Sequence, residues 1–212
     1  ILHPYIISRS RLFGICAITV QRLSVNRADV SITLVSHASV VVSIGDTGIL
    51  TDPWQFGTAF NDSWKLVVSP ADLDLDSIDF LWISHEHPDH FHIPTLKSLP
   101  DAFKKRVTVL FQRSSDCEKM AEAFTRMLGF VNVRLLDHRV WVPIAPGVEV
   151  YCYHSRQIDS ALAVRGSGRT VLNLNDCEAS PRDLETLHGD LGPIDVLLNQ
   201  FSIAGFDGNE KQ

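Results

Sequence analysis

The chain is 212 residues long, 45% hydrophobic and 21% charged, with a formal net charge of −6. Such a length holds one large domain or two small ones, and the composition is that of a globular chain, not a fibre or a disordered tail. An acidic balance with no basic run argues against nucleic acid as a principal partner, because phosphate binding needs a basic face.

No apolar stretch approaches the roughly 20 residues of a membrane helix. The expectation is therefore a cytoplasmic protein with no membrane span, acting on a small molecule, with homo-oligomerisation left open. Cys16, Cys117, Cys152 and Cys177 are scattered without a C-x-x-C pair and read as reduced, mostly buried thiols. Cys152-Tyr153-His154 has the form of half a Rieske site, but no C-x-x-H accompanies it, so no iron–sulfur cluster is expected.

Residues 1–29 read as an N-terminal extension or first strand, with Ile15 to Leu23 as its candidate. From Val30 the pattern sharpens, and 30–212 reads as one domain. Val30 to Leu34 alternates with period two, Val40 to Ile44 is β-branched, and Gly45-Asp46-Thr47-Gly48 turns into a third strand ending at Asp52-Pro53. This opening predicts an antiparallel meander. Trp54 to Val68 is irregular, and its aromatics Trp54, Phe56, Phe60 and Trp64 either pack over a sheet edge or wall a pocket.

Phe80 to Ile83 is an apolar strand, followed by a short helix from Ile93 with Pro94 in its first turn. Val107 to Phe111 is a buried strand. A helix then runs from Ser114 or Ser115 to about Leu128, with Gly129 as its stop. Strands are predicted over 131–136, 139–142, 148–153, 160–164 and 170–174, and then a helix capped by Ser180 with Pro181 at its first position. A last strand covers 194–198. Hairpin turns dominate these connections, which points to an α+β arrangement of two sheets flanked by helices.

The chemistry concentrates at strand ends. His85, His87, Asp89 and His90 follow the Phe80 strand on one loop, while His154 ends a second strand and Asp176 follows a third. Imidazole and carboxylate are ligand types for zinc and non-haem iron. Alternate residues of an extended loop point the same way, so His85 and His87 grip one ion while Glu86 points away. Six such ligands can enclose two metals sharing a bridging carboxylate.

The run His85-x-His87-x-Asp89-His90 resembles the H-x-H-x-D-H signature of the metallo-β-lactamase superfamily. Thr51-Asp52-Pro53 resembles the family's strand with its buttressing aspartate, His154 its third-histidine position and Asp176 its bridging aspartate. Ser36-His37-Ala38-Ser39 is similar to the branch containing ascorbate-phosphate lactonase. Leu172 to Cys177 and Gln200 to Gly205 are similar to the corresponding domain of CMP-N-acetylneuraminate hydroxylase.

The resemblance implies a four-layer αββα sandwich, with its C-terminal part incomplete because no late histidine follows Asp176. It implies two divalent metal ions, zinc first and iron or manganese as alternatives. It implies a hydrolase acting on an ester, lactone, amide or phosphodiester, with Asp89 orienting a metal-activated water. A dinuclear-iron oxygenase and a non-catalytic binding domain are the rival readings. His37 and His92 are expected against ligands or substrate, and Asp52 behind a ligand histidine.

Overall fold

The computed structural model of the chain describes residues 30–155 and 158–199. The expected strand over 15–23, Cys16 and the run Gln200 to Gly205 lie outside these residues.

Strands β1 (Val30–Ser36), β2 (Ser39–Ile44) and β3 (Thr47–Thr51) form the expected antiparallel meander. A small hairpin follows, β4 (Thr58–Ala59) with β5 (Trp64–Lys65), inside the segment read as irregular. Then come β6 (Phe80–Trp82), α1 (Ile93–Ser98), α2 (Asp101–Arg106) and β7 (Thr108–Gln112). The expected helix after Ser115 is α3 (Cys117–Glu122), which continues as a π-helical turn over Ala123–Met127. The chain goes on through β8 (Asn132–Leu136), β9 (Trp141–Ala145), β10 (Val148–His154), β11 (Ser160–Gly166), β12 (Arg169–Asn175), α4 (Pro181–Leu191) and β13 (Val196–Asn199).

Two sheets result, ordered β1-β2-β3-β6-β7-β8 and β13-β12-β11-β10-β9. Both are mixed. Hairpins build β1–β3 and β9–β12, whereas β3, β6, β7 and β8 pair in parallel, as do β12 and β13. Parallel neighbours need crossovers, and α1 and α2 supply one between β6 and β7, and α3 the next.

The layers follow from strand alternation. On the first sheet Leu50, Leu81, Val109 and Phe111 face outward onto Leu96, Phe103, Phe124 and Leu128 of the helices and the π turn. Their neighbours Ile49, Trp82 and Leu110 face inward onto Val150, Cys152, Leu162 and Val164 of the second sheet. On that sheet's far side Tyr151, Ala163 and Leu172 meet Leu187 and Leu191 of α4. This is the αββα sandwich that the sequence implies. Strands β6 and β7 are covered on both faces, which is why they read as unbroken apolar runs.

The α4 start is a capping box, with Ser180 accepting from the Asp183 amide and Asp183 accepting from the Ser180 amide. Among the described residues no helix is long and apolar enough to cross a membrane, and Cys117, Cys152 and Cys177 are buried free thiols.

The sandwich brings the C-terminal ends of β3, β6 and β12 and the start of β11 to one edge. Ser160 Oγ at the start of β11 donates to the Ser84 carbonyl after β6 at 2.7 Å, and Gln112 Nε2 at the end of β7 donates to the same oxygen at 3.2 Å.

Close approach of strand β3 to the Leu75–Ser77 turn sets one tight position. A Cβ on Gly48 would lie 2.0 Å from the Ser77 carbonyl oxygen, while Gly189 in α4 has nothing within 4 Å. Gly48→Ala should lower the unfolding free energy by about 2–3 kcal/mol through overpacking, while Gly189→Ala should raise it by about 0.5–1 kcal/mol, both read from urea denaturation.

Candidate metal centre

Strand β6 ends in Ser84, and the loop Ser84-His85-Glu86-His87-Pro88-Asp89-His90 leaves it at the edge described above. His85 and His90 are fully buried and Asp89 nearly so, while Glu86 and His87 are exposed. One compact turn, with the His90 and Phe91 amides both donating to the His87 carbonyl, folds Asp89 and His90 back beneath His85.

Asp52, just past β3, holds this loop from behind. It is wholly buried. Its Oδ1 accepts from the Ser84 amide at 2.8 Å, and its Oδ2 accepts from Ser84 Oγ at 2.7 Å and His90 Nδ1 at 3.0 Å. Asn175 Nδ2, at the end of β12, donates to the same Oδ2. Asp52 and Asn175 both have positive φ, 38° and 51°, a region that Asp and Asn tolerate better than other side chains.

These bonds set the imidazole tautomers. Ser84 Oγ spends its proton on Asp52, so at 2.9 Å it accepts from His85 Nδ1–H, leaving the Nε2 lone pair of His85 toward the site. Asp52 does the same for His90, whose Nε2 lies 3.2 Å from Asp176 Oδ2 and 3.4 Å from Asp89 Oδ2. Neither contact has hydrogen-bond geometry: His90 Nε2 and Asp89 Oδ1 are buried without a hydrogen-bond partner.

His85 Nε2 is 2.9 Å from His87 Nδ1 and 3.4 Å from Asp159 Oδ1. His37 Nε2 donates to Asp89 Oδ2 at 3.0 Å. Three sets therefore bring donor atoms within 4.8 Å of one another: His85, His87 and Asp159; His85, His90 and Asp176; and His37, Asp89 and His90.

The charges are strongly coupled. Burial and the neighbouring charge of His90 push His85 down to about 4, so its imidazole is neutral and ready to ligate. Burial works against the His90 cation, but Asp176, Asp52 and Asp89 outweigh it and push His90 up to about 12. Burial likewise disfavours the Asp89 and Asp176 carboxylates, yet His37 and His90 hold Asp89, and His90 holds Asp176, below the ordinary range. Burial raises Asp159, with Asp176 adding to the effect. Converging carboxylates around one proton on His90 Nε2, with a polar atom of each of Asp89 and His90 unpartnered, is the pattern that a cation in place of that proton would satisfy. The donor set fits a metal.

Of the residues singled out in the sequence, the structure brings together His85, His87, Asp89, His90 and Asp176, with His37 at their rim and Asp52 behind them. His154 goes elsewhere. Strand β10 runs through it, so alternation carries its ring to the inter-sheet side with Val150 and Cys152. There Nε2 lies 3.3 Å from the Leu136 carbonyl oxygen and the ring sits 5.0 Å from that of His138. Among the described residues no ligand set includes His154.

Asp159 stands in the position expected of His154. It precedes β11, across the hairpin where His154 pairs with Ser160. The strand-end argument used for His154 applies equally to Asp159, and a search for histidine alone passes over it. His92 follows the cluster loop at the start of α1. It is buried, its Nδ1 accepts from the Thr95 amide at 3.2 Å to cap α1, and its Nε2–H donates to the Thr58 carbonyl at 3.2 Å. With both nitrogens engaged it is an anchor between the loop and hairpin β4–β5.

The family comparison agrees with the fold. The beta-lactamase superfamily domain model matches residues 31–198. Cytidine monophosphate-N-acetylneuraminic acid hydroxylase of Danio rerio is 25% identical over 181 residues, covering 82% of this chain and 29% of the relative. The chain thus spans under a third of the curated relatives it matches. Among solved structures, CmlA, a diiron beta-hydroxylase from Streptomyces venezuelae, superposes with TM-score 0.58 at 23% identity over 80% of this chain and 34% of that one. A "possible metal-dependent hydrolase" from Veillonella parvula superposes with TM-score 0.60 at 17% identity over 78% and 70%. With the matched segment running from β1 into β13 and carrying the whole His-Asp cluster, the chain belongs to the beta-lactamase superfamily.

Proposed function

We propose that this domain carries a dinuclear non-haem metal centre, iron in preference to zinc, and serves a hydroxylase that uses dioxygen. The observation that carries the reading is Asp159. With it the set around the first ion, His85, His87 and Asp159, is two histidines and one carboxylate, the composition of the non-haem Fe(II) oxygenase triad. A histidine in its place would have given the imidazole-rich set typical of many zinc sites. The hydroxylase names of the curated relatives support the same direction.

In this reading His85, His87 and Asp159 would hold one ion, and Asp89, His90 and Asp176 would hold the other. Bound there, an iron pair would supply dioxygen activation, with electrons from an external reductant. The chain's own residues orient and exclude. Asp52 and Ser84 keep protons on the Nδ1 atoms of His90 and His85, so both rings offer Nε2. His37 restrains Asp89 through Oδ2. Trp54, 1% exposed, backs the His37 and His92 rings at 5.5 and 5.6 Å and keeps water from that side.

Hydrolysis is the second reading, and Asp89 favours it. Its Oδ1 is unpartnered and its carboxylate is held ionised, as befits a group that orients and deprotonates an attacking water.

Protein purified without added metal should contain about two iron ions per chain, and after reduction under argon it should consume dioxygen on mixing with aerobic buffer. Zinc alone, with turnover of a phosphodiester or lactone, would sink the oxidative reading in favour of the hydrolytic one. Asp159→Ala and His87→Ala should each lose at least one ion per chain, whereas His154→Ala should keep the wild-type metal content. Equal loss in His154→Ala would refute the ligand assignment.

Removing Asp52 leaves His90 Nδ1, Ser84 and Asn175 facing a buried void. Asp52→Ala should cost about 3–5 kcal/mol of stability in urea denaturation and reduce metal content.

A further inference from the structure

We infer that Gln112 is a positioning residue for the first ion: its carboxamide clamps the hairpin that carries Asp159 against the loop that carries His85. The inference rests on the reading of His85, His87 and Asp159 as a ligand set.

Asp52 does not touch the segment that carries Asp159. Its bonds run to Ser84 and His90 at the cluster loop and to Asn175, the neighbour of Asp176. Asp159 stands in the turn between β10 and β11. There the Ser155 amide donates to the Asp159 carbonyl at 2.9 Å. That bond closes the turn but does not fix where the turn sits against the first sheet.

Gln112 fixes it. By strand alternation Gln112 shares the inward face of β7 with Leu110. It is 2% exposed, so it stands where an apolar side chain would continue the inter-sheet core. A carboxamide buried there is costly unless its hydrogens are used. Both find acceptors: Nε2 donates to the Ser84 carbonyl at 3.2 Å and to the Ile158 carbonyl.

Those two carbonyls belong to the residues immediately before His85 and Asp159. From the other side of Asp159, Ser160 Oγ donates to the Ser84 carbonyl at 2.7 Å. Ser84 is thus a meeting point. Asp52 holds its N–H and Oγ, while Gln112 and Ser160 hold its carbonyl. With both flanks of Asp159 referred to the peptide that leads into His85, His85 Nε2 and Asp159 Oδ1 come to 3.4 Å. Metal ligands need placing to within about 0.2 Å, and these anchors set that spacing for ligands drawn from two sheets.

The test loads the chain with Co²⁺ and reads the affinity of each ion by competition with a chromophoric chelator. Gln112→Met keeps the length and loses both donors. It should weaken one ion about 10- to 100-fold and leave the other within about twofold. Gln112→Asn keeps the amide but is one methylene too short to span both carbonyls, and it should weaken the same ion by a smaller factor. Added to Asp159→Ala, Gln112→Met should cause no further loss, because the ion it acts on has already gone. Gly48→Ala, destabilised by packing at the far end of β3, should keep both affinities, and it shows what a loss of stability alone does. Wild-type affinities in both Gln112 variants, equal weakening of both ions, or further loss on top of Asp159→Ala overturns the proposal. A wild-type chain that takes up no Co²⁺, or an Asp159→Ala variant that keeps both ions, overturns the metal-centre reading itself, and the proposal with it.

Discussion

The Asp52 carboxylate is the constraint on which the arrangement depends. A lone buried carboxylate is expensive, and this one is tolerated because its oxygens accept from the Ser84 amide, Ser84 Oγ, His90 Nδ1 and Asn175 Nδ2. Those four donors come from the β6 end, the cluster loop and the β12 end, so one side chain ties both sheets together at the edge where the cluster forms. The same bonds orient His90 directly and His85 through Ser84. Stability and site geometry are therefore coupled at Asp52, and its positive φ, just before Pro53, is held by a network that leaves the carboxylate no alternative partner.

Around that support the cluster is a balance of opposite charges confined in a small space. Asp89, Asp159 and Asp176 face His85, His87 and His90, and the carboxylates near His90 raise its proton affinity while the His90 charge lowers that of His85. The two buried imidazoles, centroids 4.1 Å apart, are thereby driven to opposite protonation. A divalent ion removes the conflict: both rings can be neutral ligands once the positive charge sits between the carboxylates. The physical demand for a cation comes from the number of carboxylates, and that is also the feature that bears on which cation is preferred.

Much of this was legible in the sequence because it is local. Phe80 to Ile83 and Val107 to Phe111 are covered on both faces and read as strands without ambiguity. The His85 to His90 run carries four of the candidate ligands in one turn. Asp52 was legible through the resemblance of Thr51-Asp52-Pro53 to the family's strand with its buttressing aspartate. What could not be read is what depends on side-chain direction at a strand end. His154 pairs with Ser160 and Asp159 is one residue further into the same hairpin, and only the register of β10, which continues through His154, decides which of them reaches the cluster. Two-residue strands such as β4 and β5 carry no periodicity, and α2 is six residues long and ends in Lys104, Lys105 and Arg106, which leaves it little apolar stripe. The π turn after α3 arises from packing, since Phe124 must reach Phe91, Phe111 and Phe130 at once.

The candidate ligands and the aromatic hairpin beside them are carried by different kinds of segment. The candidate ligands stand on strand ends or tight loops that the sandwich core fixes, and moving any of them means disturbing β3, β6, β11 or β12. Hairpin β4–β5 is an excursion between β3 and β6 that pairs with neither sheet, and of its residues only Ala59 is buried. Only a few bonds, His92 to Thr58 and Thr95 Oγ1 to the Gln55 amide among them, tie the excursion to the loop and to α1. The His-Asp cluster is thereby fixed by the core, while the Phe60–Trp64 pair beside it, 6.0 Å from His87 and 5.9 Å from His37, stands on a segment outside both sheets.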